Sequence, residues 1–248
     1  MKLLRPILIF LGLLLFWQML VSATGVAHYI LPGPLAVLNA FYERWPSLLY
    51  HAGVTISEIL LGLGFGTLLG CLSALILANS RGARLWVLPV LVISQAIPVF
   101  ALAPILVLWL GYGLASKVVM ATLIIYFPVT IAFFDGLRRT DPGWLDLAQV
   151  MGGSRWRTLT RVRIPAALPA FASGVRVAAS VAPIGAIVGE WVGSSAGLGY
   201  LMLHANARLQ VDVMFAALLL LALFAVGLYF AIDHGLRHLI SWQPDKAL

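Results

Sequence analysis

Five histidines, one cysteine and nine carboxylates are the side chains of this 248-residue chain that could carry chemistry. Hydrolysis inside a membrane needs a nucleophile beside a base, or metal ligands such as paired histidines with an acid between them in an H-E-x-x-H run. His28, His51, His204, His234 and His238 are scattered toward the ends of apolar runs, and no Glu separates His234 from His238. That last pair, four residues apart, reads as one face of a helix end. Cys71 sits in an apolar run with no second cysteine to pair with. No G-x-x-x-x-G-K-S/T phosphate loop occurs, so nothing in the chain marks a nucleotide site of its own. The remaining polar groups of interest are Glu58, Gln95, Arg176 and Glu190, each set in an apolar segment. A charge there is costly and is a functional hypothesis by default.

The elements that must position these groups follow from composition. The chain is 62% hydrophobic and 10% charged, with a mean hydropathy of +1.00. Soluble domains are about 45–50% apolar and about 25% charged, so this is an integral membrane protein of all-α class. It reads as a single transmembrane domain over 1–248, without room for a separate soluble catalytic domain. A crossing helix needs about 20 apolar residues. That length predicts six spans: Pro6–Thr24, Val54–Ala78, Trp86–Leu110, Ser116–Phe134, Phe171–Gly193 and Val213–Asp233. With the N-terminus inside, thirteen of the sixteen Lys and Arg residues fall on the inner side. Only Arg44, Lys117 and Arg208 are outside, a strong positive-inside bias that places both termini in the cytoplasm. This distribution assigns the net charge of +7 to membrane topology rather than to nucleic acid. Lys2 and Arg5 before an apolar run, with Val21-Ser22-Ala23 after it, also fit a signal peptide. The length of the run and its polar interruption at Trp17-Gln18 favour a retained span.

One inter-span segment stands apart. Residues 135–169 hold six of the sixteen basic residues, Arg138, Arg139, Arg155, Arg157, Arg161 and Arg163. Asp141-Pro142 predicts a helix start, since Asp accepts from free N–H groups and Pro suits the first helical position. Gly152-Gly153 predicts its end. Ser154 can cap a second short helix with Trp156 and Leu159 on one face, closed by Pro165 and Pro169. On charge alone, a solvated loop that enforces topology and binds anionic lipid accounts for the arginines.

The spacing within the loop adds more. Asp146-Leu147-Ala148, three residues, Gly152, nine residues, then Val162-Arg163-Ile164-Pro165 resembles the cytoplasmic signature loop of ABC-transporter permeases fed by a binding protein. The family pattern begins Glu-Ala-Ala, so Asp146 keeps the acid while Leu147 adds bulk. The likeness extends from about Leu31 to Ile240. Ser94-Gln95-Ala96-Ile97-Pro98, Ala103-Pro104 and Trp109-Leu110-Gly111-Tyr112-Gly113 resemble the nitrate, taurine and sulfonate branch. So do Gly189-Glu190-Trp191-Val192-Gly193 and Gly197-Leu198-Gly199-Tyr200. The wording around Gln95 and Glu190 is nearest to permeases for the pyrimidine precursor of thiamine, and riboflavin and sulfonate permeases share much of it. The resemblance implies a type I importer permease of the bacterial inner membrane, working as two copies or with a near relative. It implies a separate ATPase that holds ATP-Mg, with no cofactor on this chain, and a periplasmic or lipid-anchored binding protein. It assigns ATPase docking to Asp146, Ala148, Gly152, Gly153, Val162, Ile164 and Pro165. A thiamine pyrimidine precursor or similar heterocycle is the expected solute, with sulfonate, taurine or nitrate as the alternative.

Gln95, Pro98, Glu190 and Trp191 are the candidate pathway residues. Gln95 suits a hydrogen bond to a heterocycle or, equally, to a neighbouring helix. Glu58 and Glu190 fall toward the outer ends of their spans, where they either line the mouth or pair with Lys117 or Arg208. Arg176 reads as a snorkelling anchor. Pro98, Pro104 and Pro183 should bend or open their spans. Gly62, Gly66 and Gly70 form a ridge suited to close helix packing. Metal sites are not expected. An ion-coupled carrier, which wants acids near the bilayer centre, and an intramembrane enzyme are the rival classes, and both fit less well.

Overall fold

The computed structural model describes residues 4–242, and the side chains of residues 4–7 and 10 are not described. Lys2 and Lys246 of the topology argument lie outside the described residues. Among those described, every regular element is a helix: α1 (Leu4–Thr24), α2 (Pro34–Glu43), α3 (Trp45–Asn79), α4 (Arg81–Ser94), α5 (Val99–Leu110), α6 (Leu114–Arg138), α7 (Pro142–Val150), α8 (Arg155–Thr158), α9 (Ile164–Gly193), α10 (Leu198–Ala207) and α11 (Val211–Leu239). Four segments are each long and apolar enough to cross a bilayer: Trp45–Asn79, Leu114–Arg138, Arg155–Gly193 and Val211–Leu239. The all-α membrane architecture is as expected, but six straight spans are not what the described residues form.

The expected third span, Trp86–Leu110, is broken. Its halves, α4 and α5, meet at 98° across Gln95–Pro98. Pro98 has no N–H to give a continuing helix, and it pushes the residue before it out of the helical region. The chain there makes tight turns instead, with Ala96 N bonded to Ile93 O at 2.9 Å and Ile97 N to Ser94 O at 3.2 Å. Pro104 and Pro183, by contrast, sit inside intact helices. α1, at 21 residues, covers the expected first span Pro6–Thr24, and its stretch Leu11–Thr24 is apolar. It lies at the periphery, with Trp17 against Phe215 of α11 at a ring separation of 5.8 Å.

The second correction concerns the end of the basic loop. Pro165 and Pro169 do not close a separate helix. Pro165 lies in the first turn of α9, Pro169 lies within it, and α8, a π-type turn at Leu159–Arg163 and α9 run on as one 39-residue segment. A wide turn of this kind re-registers the backbone just before Pro165, where a missing donor would otherwise interrupt the ladder. Trp156 and Leu159 also part company: Leu159 is buried with Phe133, Phe134 and Leu137, while Trp156 is exposed.

The core is α6, held between α3 and α9. In hydrocarbon the hydrophobic effect between helices is absent, so close packing must do the work. The glycine ridge of α3 supplies it. A β-carbon at Gly62 would stand 2.5 Å from Ala121 Cβ, one at Gly66 2.6 Å from Ile125 Cγ2, and one at Gly70 3.0 Å from Val129. A β-carbon at Gly185 of α9 would likewise stand 2.8 Å from the Cα of Ala121. Gly66→Val should therefore overpack the α3–α6 contact and lower stability by about 1–3 kcal/mol, read as a fall in the unfolding midpoint in detergent.

Arg176 is not a free anchor. Its Nε lies 2.6 Å from Asp233 Oδ1, and Asp233 also receives Arg237 at 2.9 Å, tying α9 to α11. The pair is partly exposed, so Asp233→Ala should lower the unfolding midpoint only slightly.

Candidate functional site

Two regions at opposite ends of α9 concentrate the singled-out residues. The first is the loop at its start. Asp141 caps α7, its Oδ1 accepting from Gly143 N at 2.7 Å, with Pro142 at the opening position. The helix ends as a Schellman motif: Gly152 N donates to Gln149 O at 3.0 Å and Gly153 N to Ala148 O at 2.8 Å. This closure needs a left-handed residue at the first position past the cap, and Gly152 has φ +72°. Ser154 then caps α8 by accepting from Arg157 N at 3.3 Å. The start, break and second cap expected from sequence are all present.

The motif divides into an exposed half and an anchored half. No residue of α7 is buried. Asp146 is exposed, Ala148 half-buried, and Trp144, Leu147 and Val150 stand 56%, 59% and 85% exposed, with Met151 beside them at 77%. Val162, Ile164 and Pro165 are half-buried, Ile164 against the cluster of Phe133, Phe134 and Leu137. Arg163 reaches across to Leu137 O, the carbonyl near the end of α6, from Nη2 at 3.1 Å and Nε at 3.3 Å. This anchored base thus presents a short helix whose apolar side chains Trp144, the atypical Leu147 and Val150 stand largely exposed.

The second region lies where α9 ends. Gln95 and Pro98 occupy the α4–α5 break and are exposed; Trp191 is also exposed, at 52%. Glu190, its neighbour in sequence, is only 1% exposed. Its carboxylate is fully engaged: Thr55 Oγ1 donates to Oε1 at 2.6 Å, Gly199 N donates closely to Oε2, and Tyr200 N donates to Oε2 at 3.4 Å. Thr55 Oγ1 in turn accepts from Leu198 N at 2.7 Å, and His51 Nδ1 accepts from Gly197 N at 3.0 Å. Glu58, wholly buried, lies 3.9 Å from Lys117 Nζ, and neither of its oxygens has a hydrogen-bond partner among the described residues. Lys117 Nζ also donates to Tyr112 O at 3.0 Å. The Glu58–Lys117 pairing is as the sequence allowed. Glu190 pairs with neither Lys117 nor Arg208, but with the Thr55 hydroxyl and two backbone N–H groups.

Sequence reading took His51 only as one of five scattered histidines and did not name Thr55. A signal for them existed: His51, Thr55 and Glu58 follow i, i+4, i+7 spacing, and Gly62, Gly66 and Gly70 continue the same face of α3. A polar stripe prolonging a packing ridge points toward neighbouring helices rather than lipid.

The comparisons with known proteins agree with this architecture. Residues 66–241 match the family model described as "binding-protein-dependent transport system inner membrane component". A probable ABC transporter permease of Haemophilus influenzae is 59% identical, covering 98% of both chains. The formylaminopyrimidine transport permease ThiX of Halalkalibacterium halodurans is 35% identical, over 98% of this chain and 97% of that one. The riboflavin transport permease RibX of Chloroflexus aurantiacus is 36% identical, over 94% and 88%. The methionine transporter MetNI, solved in inward-facing conformations, shares the fold with a TM-score of 0.64 at 21% identity, covering 75% of this chain and 92% of its own. The chain belongs to the inner-membrane components of binding-protein-dependent transport systems, and is a permease subunit of an ABC importer.

Proposed function

We propose that two copies of this chain form the pathway of an importer for a small heterocycle of the thiamine-pyrimidine type, with ATP-Mg held by a separate ATPase docked on α7. What carries the docking reading is the exposed apolar face of α7, capped at both ends and set on a base fixed by Arg163 and Ile164. Trp144, Leu147, Val150 and Met151 face outward at a helix end, while Asp141, Gly152 and Gly153 fix its direction. A soluble partner groove would cover that face; lipid contact alone explains the neighbouring arginines but not the helix. In this reading both termini and α7 are cytoplasmic, and the α9–α10 turn faces the binding protein.

The solute reading rests on the name of the ThiX relative and on the exposed Gln95 amide at the α4–α5 break, where an uncharged donor and acceptor suits a pyrimidine edge. Riboflavin is the second reading, supported by a relative of equal identity. The test is ATP hydrolysis by the reconstituted complex with binding protein loaded in turn with formylaminopyrimidine, riboflavin, an aliphatic sulfonate and nitrate. Stimulation by the pyrimidine alone is expected. Stimulation only by another solute would overturn the solute reading and leave the docking reading standing.

A further inference from the structure

Helix α10 is capped from outside itself. A helix leaves its first N–H groups without intrahelical partners, and the residue before the first turn ordinarily supplies the acceptor. In α10 that residue is Gly197, which has no side chain to offer. Four consecutive donors, on Gly197, Leu198, Gly199 and Tyr200, are taken instead by His51 and Thr55 of α3 and by Glu190 of α9. The glycines at 197 and 199 make this approach possible. A β-carbon at Gly197, where φ is +117°, would overlap the Glu190 carboxyl, and one at Gly199 would stand 2.8 Å from Oε2. The two motif stretches at 189–193 and 197–200 are thus a single unit, a carboxylate and the socket that receives it. A carboxylate at a helix N-terminus also gains from the helix dipole.

The location of this unit gives it a mechanical meaning. Glu190 stands near the far end of the 39-residue segment that begins at Arg155 beside the docking helix. Only residues 194–197 separate that segment from α10, and Ser194 Oγ bonded to Ala196 O and N keeps the turn tight. We propose that Glu190 is a positioning residue that fixes α10 to α9, so that displacement of the docking end by ATP is delivered to α10 at the opposite face of the membrane. This rests on the importer reading. Glu190 is buried and both its oxygens are taken, so its action runs through α10.

The test uses the full complex with its ATPase and binding protein in nanodiscs. A nitroxide label goes on an exposed position of α10, Leu203→Cys, in both copies of the chain, over Cys71→Ser. In the otherwise unaltered chain the label separation should shift between nucleotide-free and ATP-bound, hydrolysis-blocked states. In Glu190→Ala the shift should be lost and solute moved per ATP should fall about tenfold or more, the size of an ordinary coupling between sites. ATPase co-purification and basal hydrolysis should stay unchanged. Glu190→Gln, which keeps a carbonyl acceptor for Gly199 N, should restore the shift. A purely structural cap would instead lower the unfolding midpoint and leave the ATP-dependent shift in place. Should Glu190→Ala fail to fold, Thr55→Val removes one acceptor and one donor of the same unit at constant shape and should weaken the shift. An α10 that keeps a constant separation in the unaltered complex, or one that moves as usual in Glu190→Ala, overturns the proposal. Stimulation of that complex by its binding protein tests the importer reading separately.

Discussion

Lys117→Met should lower the stability of the permease by about 1–3 kcal/mol, the usual cost of leaving buried polar groups without their partner. Glu58 is wholly buried, and neither carboxylate oxygen has a hydrogen bond among the described residues; the ammonium 3.9 Å away is its one compensating cation there. Removing Lys117 also takes the donor from Tyr112 O and frees the turn between α5 and α6. The double change Glu58→Met with Lys117→Met should recover part of that loss, because a well-packed apolar pair does as well as a buried ionic one, while Tyr112 O still lacks its donor. Unfolding midpoints in detergent for the two single variants and the double one give the coupling directly. If Lys117→Met alone proved as stable as the parent, the ion pair would not be what holds this end of the bundle.

Gly152→Val should leave membrane insertion and unfolding unchanged while sharply weakening ATPase co-purification. A β-carbon at Gly152 meets nothing within 4 Å, so no clash is involved. The penalty lies in φ +72°, which costs an ordinary L-residue about 1–2 kcal/mol. A β-branched side chain tolerates it least. Relief of that strain turns Gly153-Ser154 and re-aims α7, none of whose residues is held by burial. Docking weakened by that amount corresponds to about tenfold in affinity. Gly152→Asn is the informative control, since Asn accepts the left-handed conformation and should keep most co-purification. Equal loss in both variants would refute the conformational account, and normal assembly of Gly152→Val would refute the docking role.

The segment from α7 to the start of α9 was the most legible part because its signals are local. Asp141, Pro142, Gly152 and Ser154 act on N–H and C=O groups no more than a few residues away, so their identities declare the helix ends directly. The 98° break was half visible: Pro98 was marked as a bend, but whether a proline kinks a helix or divides it depends on what satisfies the freed backbone. At Gln95–Pro98 the chain closes into turns, whereas Pro183 of α9 is buried in the bundle with its helix intact. Pro165 misled for a related reason, since the π-type turn before it allowed α9 to begin earlier than the proline suggested.

By itself the sequence determined the membrane class, the caps of α7 and α8, the glycine ridge and the family. Each is written in composition or in spacings shorter than about twenty residues. Only the tertiary structure decided the partners of the buried polar groups. Thr55 and Glu190 are 135 residues apart, and Gly197 and His51 are 146 apart. In a dry interior each polar group must find a partner, but which one it finds follows from how close the helices come. Here the glycines of α3 and α9 set that distance, and the meeting of Glu190 with α10 follows from it.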